Sequence, residues 1–485
     1  MPARNAMIDN ILGPVPSKAT KPGAVRSELG HGLAAGAALI LACVAIGSIA
    51  MPVASLGFDW ERTPNEGWNV YHAARAAAGE ILYAGDPARE VSYPFVSFYL
   101  IGWLKPLFGN LLVIGRTISV ISLSCIAICS ALIVRRLGGR TPEMLFGAAA
   151  TLGFVHVQAT TWIGTDDPQM LAEALTFGGL LCYLSGPPTV WRLAACALLC
   201  CAGGFTKPVA AAIPIAVTLD LLWRDRRLFL IWCCCGIGAL ALFAGLSYAI
   251  AGGNFLSEVL AQRPFSWERV AYHAKKFLRW HKIPFAASLI YLCQALPPRQ
   301  SILLRACFAG ALIVGALVSG GVGVSYNGMM ELAAVMGIVT ALAFGRWREQ
   351  LRSFRLGNLA SVALPLVIAV SIATTSPHDL KSLLHPQRSW ETYELNEATF
   401  IELFSQHRFA VIELPEVIFP YTDEPDRISA HLRDVRRFTA TTLHFTETTL
   451  RAIDRYYAPA PPFDATAFYL PKDDAGSRDK APVGR

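Results

Sequence analysis

The sequence predicts a polytopic α-helical membrane protein with about eleven transmembrane helices, followed by a small external α+β domain. Three observations predict it. Of 485 residues, 54% are apolar and only 16% charged, with a mean hydropathy of +0.42, whereas a soluble domain carries about 25% charged residues. The missing charge is missing from blocks, apolar runs of roughly 17 to 25 residues, the length a helix needs to cross the hydrocarbon. After Thr375 charged residues become frequent again.

Met1–Gly30 is polar and broken by Pro and Gly, as expected of a disordered cytoplasmic tail. The run His31–Phe58 exceeds the apolar core of a signal peptide, about 7 to 15 residues, and is expected to be an uncleaved first span. Residues 58–110 then form the first outer loop, in which Tyr93–Phe108 reads as an interfacial or re-entrant helix. The further spans expected are Leu111–Val134, Phe146–Ile163, Gln169–Leu184, Val190–Gly204, Val209–Trp223, Leu228–Ala251, Pro284–Leu296, Ala306–Ser319, Met329–Phe344 and Leu359–Thr374. Laid out so, the basic clusters at Arg135–Arg140, Arg224–Arg227, Arg299–Arg305 and Arg346–Arg355 fall on one side, which sets the N-terminus in the cytoplasm.

Between Gly252 and Lys282, an outside loop mixes Trp267, His273, Lys275, Lys276, Arg279 and Trp280. It reads as an amphipathic helix in the headgroup region, or as a solvated loop with interface anchors. Ser376 to about Lys472 reads as the external domain, with strands at Ala410–Leu414 and Ala467–Leu470 and helices at Asp426–Phe438 and Thr446–Tyr456. The tail 473–485 is expected to be disordered.

Composition also excludes classes. The net charge of +7 resides in clusters between apolar runs, where it sets topology, so no nucleic-acid partner is expected. All 12 cysteines lie inside apolar runs and none in a polar loop, so they read as small buried hydrophobes rather than as disulfides or zinc ligands.

Polar groups that resist the apolar background fall at the outward ends of spans. These are Asp59, Glu61 and Glu66 in the first outer loop, Asp166 and Asp167, Lys207, and Tyr326–Asn327 with Glu331. An ionisable residue at membrane depth is costly and marks a cavity or a partner. Plainer readings stand beside this one. Asp166 or Asp167 can cap the helix that Pro168 opens, Lys207 can snorkel, and Glu331 can pair with Asn327 one turn away. Asn65–Glu66 leads into a helix whose next turns carry Tyr71 and Arg75 on one face.

The order of these elements resembles the integral-membrane GT-C glycosyltransferases that use polyprenyl-phosphate-linked sugars, the group of the protein O-mannosyltransferases and the lipid A aminoarabinose transferase. The resemblance rests on an acid in the first outer loop, then Tyr71, Gly79–Tyr83, Tyr93-Pro94-Phe95, Gly115-Arg116, Asp166-Asp167-Pro168, Phe205-Thr-Lys207-Pro208 and Tyr326-Asn327 with Glu331. It spans about Phe58 to Phe344. Many relatives have an Asp-Glu pair in the first loop, where this chain has Asn65-Glu66.

The resemblance implies transfer of a sugar from a lipid-linked donor to a hydroxyl acceptor by inverting displacement. The lack of cysteines suited to disulfides and the loop charges fit a bacterial inner membrane with the site facing the periplasm, the endoplasmic reticulum of a eukaryote being the other placement. A carboxylate must take the acceptor's proton and fixed cations must hold the departing phosphate. Glu66 is the preferred base, with Asp59 and Glu61 as the other first-loop candidates. Asp166 or Asp167 would position sugar or acceptor. Lys207, with Arg116, would hold the phosphate, and Asn65, Tyr71, Arg75, Tyr93, Tyr326, Asn327 and Glu331 would line the substrate site. The partners implied are the lipid-linked donor, membrane lipid and a glycan, lipid or protein acceptor. The metal requirement stays open, since carboxylates can recruit a divalent cation. The rival reading is a transporter or flippase of a lipid-linked saccharide, but no internal repeat of the motifs supports it.

Overall fold

The computed structural model describes residues 22–57, 63–84, 91–260, 264–321, 324–351 and 357–375 and, beyond residue 400, chiefly 412–414, 455–463 and 466–471. Asp59 and Glu61 lie outside the described residues, as do the tail 473–485 and the helix expected at Asp426–Phe438.

Fourteen α-helices are described. They are α1 (Pro22–Ala54), α2 (Pro64–Ala77), α3 (Val96–Phe108), α4 (Leu111–Arg136), α5 (Thr141–Ala159), α6 (Gln169–Leu184) and α7 (Val190–Gly204). There follow α8 (Ala212–Arg224), α9 (Arg226–Leu246), α10 (Phe255–Val259), α11 (Trp267–Leu292), α12 (Pro298–Ser319), α13 (Met330–Leu351) and α14 (Gly357–Thr375). Each apolar segment expected to span overlaps one of them, and five stretches among the described residues are long and apolar enough to cross a membrane alone. Helix α1 begins at Pro22, within the segment expected to be a disordered tail.

The ends follow local chemistry. Asn110 caps α4 by accepting from the amides of Leu112 and Val113, and Asp225 caps α9 through Arg227 and Leu228. Gly109, at φ 80°, stops α3, and Gly138, at φ 97°, turns the chain after α4. The outside loop expected before Pro284 is not separate from the span after it. Both belong to α11, which breaks at His281 (φ −114°, ψ 20°) because Pro284 lacks the amide that would bond the carbonyl of Trp280.

Helix α5 packs against α1, α4 and α13 and forms the centre with α13. Of the apolar stretch of α13, 94% is buried, against 11% for α9, so α13 is the inner post and α9 an outer one facing lipid. Phe146 of α5 stacks on Phe344 of α13 with centroids 5.0 Å apart. Helices α2 and α3 pack on each other and on α4. A Cβ on Gly102 of α3 would lie 3.0 Å from the Ala73 carbonyl oxygen of α2, so glycine permits that approach. The segment between α2 and α3 is tied down by the π turn Ser247–Ala251 that ends α9. Its Ile250 carbonyl accepts from the Tyr99 hydroxyl at 2.6 Å and its Ala251 carbonyl from the Tyr83 amide at 2.8 Å.

Four cysteines, Cys43, Cys125, Cys234 and Cys293, are exposed, which corrects the expectation that all are buried. They lie on or at the ends of α1, α4, α9 and α11, whose outer sides have no protein to cover them.

Beyond residue 400 the described strands are β1 (Ile412–Leu414), β2 (Tyr457–Phe463) and β3 (Thr466–Pro471), antiparallel in the order β1-β3-β2. The first and last coincide with expected strands. The reading missed β2, YAPAPPF, whose prolines suit only an edge strand, the position it holds.

Candidate active site

Glu66 lies in the first turn of α2, which Pro64 opens. Its side chain and that of Arg116 on α4 are both 0% exposed. The two form a forked pair, Nε to Oε1 at 2.8 Å and Nη2 to Oε2 at 2.9 Å. The remaining guanidinium nitrogen of Arg116 donates to the Ser55 and Leu56 carbonyls at the end of α1. Glu66 Oε1 also accepts the Asp166 amide at 2.9 Å, and Asn69, one turn on, donates to the Asp166 carbonyl at 2.5 Å. Helix α2 thus grips the connection between α5 and α6 from both sides of one residue.

That connection, Ile163–Pro168, is folded by a positive-φ Gly164 (+64°), where a Cβ would stand 2.9 Å from the Pro52 carbonyl oxygen. The Asp166 side chain lies against Gly115 of α4, where any Cβ would overlap the carboxyl group. Its Oδ2 is buried and has no hydrogen-bond partner among the described residues. Burial above all, then the Glu66 and Asp167 carboxylates, pushes the Asp166 carboxyl well above its ordinary range, while the Arg116 guanidinium opposes the shift.

Asp167 points the other way. Its Oδ1 caps α6 through the Gln169 amide at 2.8 Å, and both oxygens take Lys207 Nζ, at 2.9 and 3.1 Å. The capping reading therefore applies to Asp167 and not to Asp166, and Lys207 is buried in an ion pair rather than snorkelling. Lys207 Nζ also lies 4.7 Å from the centre of the Tyr93 ring. Phe205, two residues earlier, stacks on Phe255 of α10 at 5.7 Å and anchors the turn that carries the lysine.

The cluster continues through Gln169, whose amide donates to the Asn327 carbonyl at 2.7 Å. Gln158 of α5 likewise donates to the Tyr326 carbonyl at 2.5 Å. Tyr326 meets Tyr272 and Lys276 of α11, hydroxyl to hydroxyl at 3.1 Å in the first case and by a short Nζ–hydroxyl bond in the second. Lys276 Nζ lies over the rings of Tyr326 (3.9 Å), Trp280 (5.0 Å) and Tyr272 (5.6 Å), and has no carboxylate partner among the described residues.

Both oxygens of Glu66 are thus engaged by Arg116 and the Asp166 amide, and Glu66 and Arg116 enclose each other. Two residues, Glu331 and Arg75, stand apart from the cluster. Glu331 accepts the Ala212 and Ile213 amides at 3.2 Å each and so pins the start of α8 rather than pairing with Asn327. Arg75, beneath the Tyr71 ring, is drawn to Glu80 at 3.1 Å and the Ile81 carbonyl at 2.7 Å. Asn65 is half-buried beside Glu66.

Sequence reasoning missed Asn69 and Glu173 as candidate site residues. Asn69 lies one turn beyond Glu66, and Glu173 is a lone buried acid in an apolar helix, next to Gln169. Either signal was available. Among the described residues no three His, Cys, Asp or Glu side chains converge.

Compared by sequence, the chain matches no protein-family model and no curated protein. Among solved structures it is similar to ArnT from Cupriavidus metallidurans in the apo state, at 12% identity over 74% of this chain and 79% of that one, with a TM-score of 0.50. The same protein bound to undecaprenyl phosphate aligns at 13% identity over the same shares, with a TM-score of 0.45. The oligosaccharyltransferase AglB from Archaeoglobus fulgidus, in complex with an inhibitory peptide and a dolichol-phosphate, aligns at 13% identity over 71% of this chain and 55% of that one, with a TM-score of 0.46. The chain shares the fold of ArnT over about three quarters of its length.

Proposed function

We propose that the chain is a membrane glycosyltransferase that moves a sugar from a polyprenyl-phosphate-linked donor to a hydroxyl acceptor in one inverting displacement. The observation that carries this reading is the buried constellation of Glu66, Arg116, Asp166, Asp167 and Lys207 at one end of a helical membrane fold. Its two cations are paired with Glu66 and Asp167, and the third carboxylate, Asp166, keeps an oxygen without a partner among the described residues.

In this mechanism Asp166 is the base and Glu66 a positioning residue. The acceptor oxygen attacks the anomeric carbon and its proton passes to Asp166. The bond from that carbon to the phosphate oxygen breaks with its electron pair going to the phosphate. A carboxyl whose pKa is raised by burial is a stronger proton acceptor than a free aspartate, which suits this task. Lys207, shared with Asp167, stabilises the charge that develops on the phosphate, and Lys276 supplies a second cation held by aromatic rings rather than by an acid. Asn65, Tyr93, Tyr326 and Asn327 border the substrates. A polyprenyl phosphate is the carrier of choice because the fold neighbour ArnT is known bound to one. The basic clusters set the active face outside the cytoplasm, on the periplasmic side of a bacterial inner membrane. Residues 31–375 form the catalytic unit and 376–472 an external domain.

The test is transfer of radiolabelled sugar from a panel of synthetic polyprenyl-phosphate sugars by the protein in nanodiscs. Wild type should consume donor, and a folded Asp166→Asn should not. Activity in that variant within about tenfold of wild type would remove Asp166 from the role of base. If no donor is consumed while labelled lipid crosses the bilayer, the chain is a flippase.

A further inference from the structure

The far ends of the helices that carry the site enclose a second polar feature. Arg116, which holds Glu66, and Arg136, at the end of α4, are separated by twenty helical residues, or about 30 Å, the thickness of the hydrocarbon. Where α4 turns into α5 and α13 ends, a cavity of about 190 Å³ opens, lined by Arg140, Glu143, Tyr291, Arg346, Arg348 and Glu349.

Its charges are not equivalent. Arg348 and Glu143 form a buried pair at 2.7 Å, side chains 8% and 3% exposed, and neutralise each other. Arg140 and Glu349 meet at 3.2 Å but are 52% and 59% exposed, and such a pair is worth little against solvent or another anion. Arg346 donates to the Ala295 carbonyl at 2.9 Å and has no carboxylate partner among the described residues. Three arginines against two glutamates leave one positive charge in the cavity. The helices that carry Glu143 and Tyr291 also present apolar side chains to the outside of the bundle, Leu145 on α5 and Leu289 and Ile290 on α11.

We propose that this cavity is a binding site for the headgroup of an anionic phospholipid of the leaflet opposite the carboxylate site. Arg140 and Arg346 hold the phosphate, and the acyl chains lie along the exposed leucines and isoleucine. The phosphate displaces Glu349 from Arg140 and meets Arg346, while the Arg348–Glu143 pair forms a rigid floor. The apolar flanks favour a lipid over a free phosphate, because a free anion gains nothing from them. The inference is independent of the reaction at the other face.

Two measurements test it on the full chain in nanodiscs. A phosphatidylglycerol carrying a photoreactive headgroup should crosslink to residues 137–143 and 342–349, and crosslinks confined to other segments would overturn the proposal. In native mass spectra, Arg140→Gln with Arg346→Gln should lose affinity for phosphatidylglycerol by about tenfold relative to phosphatidylcholine. Arg226→Gln with Arg227→Gln, a basic pair in the same leaflet, should not. Equal losses in the two variants, or displacement of the lipid by millimolar inorganic phosphate, would leave a general surface charge effect or a soluble-anion site in its place.

Discussion

Asp166 and Glu66 are adjacent carboxylates with opposite expected responses to losing their charge. Glu66→Gln breaks a fully buried ion pair and leaves Arg116 uncompensated, a change worth roughly 3–5 kcal/mol. Thermal unfolding in detergent should show a large fall in the midpoint. Asp166→Asn removes a charge with no cation of its own and should unfold no earlier than wild type at neutral pH. The sign with pH follows from the raised pKa. The folded state holds its proton above the value of 3.8 at which a free aspartate loses it, so stability is fully present below that value and is lost as pH rises through the folded pKa. The difference in midpoint between Asp166→Asn and wild type should therefore widen in favour of the variant as pH is raised. A narrowing would mean that Asp166 is stabilised as an anion. Gly115→Ala places a methyl group in the space of the Asp166 carboxyl and should abolish transfer while the helices remain, as checked by circular dichroism. Of these residues, the sequence made Glu66, Asp166 and Gly115 legible as important. It could not say which carboxylate would be enclosed, because a forked pair with Arg116 depends on how α2 meets α4.

At the scale of elements, the apolar runs were read closely. Gln169–Leu184 and Val190–Gly204 match the helices to the residue, since Pro168 and Gly186-Pro187-Pro188 bound the first and Pro188 and Gly203-Gly204 the second, while the one charge in each, Glu173 and Arg192, lies inside the run and not at its ends. The joining of the outside loop to the next span across His281 was not legible, because Trp267–His281 is polar enough to resemble a surface segment and Pro284 resembles a start. With Pro284→Ala the missing backbone bond can form and α11 should straighten. That would swing Trp280 and Lys276 away from Tyr326, and a reduced rate with an unchanged unfolding midpoint is the expected outcome. Strand β2 escaped notice because its prolines argue against a strand everywhere except at an edge, and edges are set by partners distant in sequence.

At the scale of the whole molecule, the fold class was legible because the bilayer imposes length and composition on every span at once. The assembly of the site was legible only as sidedness. Asp166, Lys207 and Tyr326 fall on one face by counting spans, but the bonds that join them run through Gln169 and Asn327 backbone and side-chain groups that no pattern marks. The same membrane reading gives a further expectation. Cys43 and Cys234 are exposed in the isolated chain yet sit well within α1 and α9. In nanodiscs they should resist a membrane-impermeant maleimide and react once the protein is denatured, whereas prompt labelling would mean that those helices do not face lipid.

Helix α2 takes hold of Asp166 by its peptide amide and its carbonyl, and never by its carboxyl group. The holder and the tool are thus separate parts. A glutamate, cysteine or histidine set at position 166 would be clamped at the same point of the chain, so under the proposed mechanism the reactive group could be exchanged without recasting the jaws that hold it.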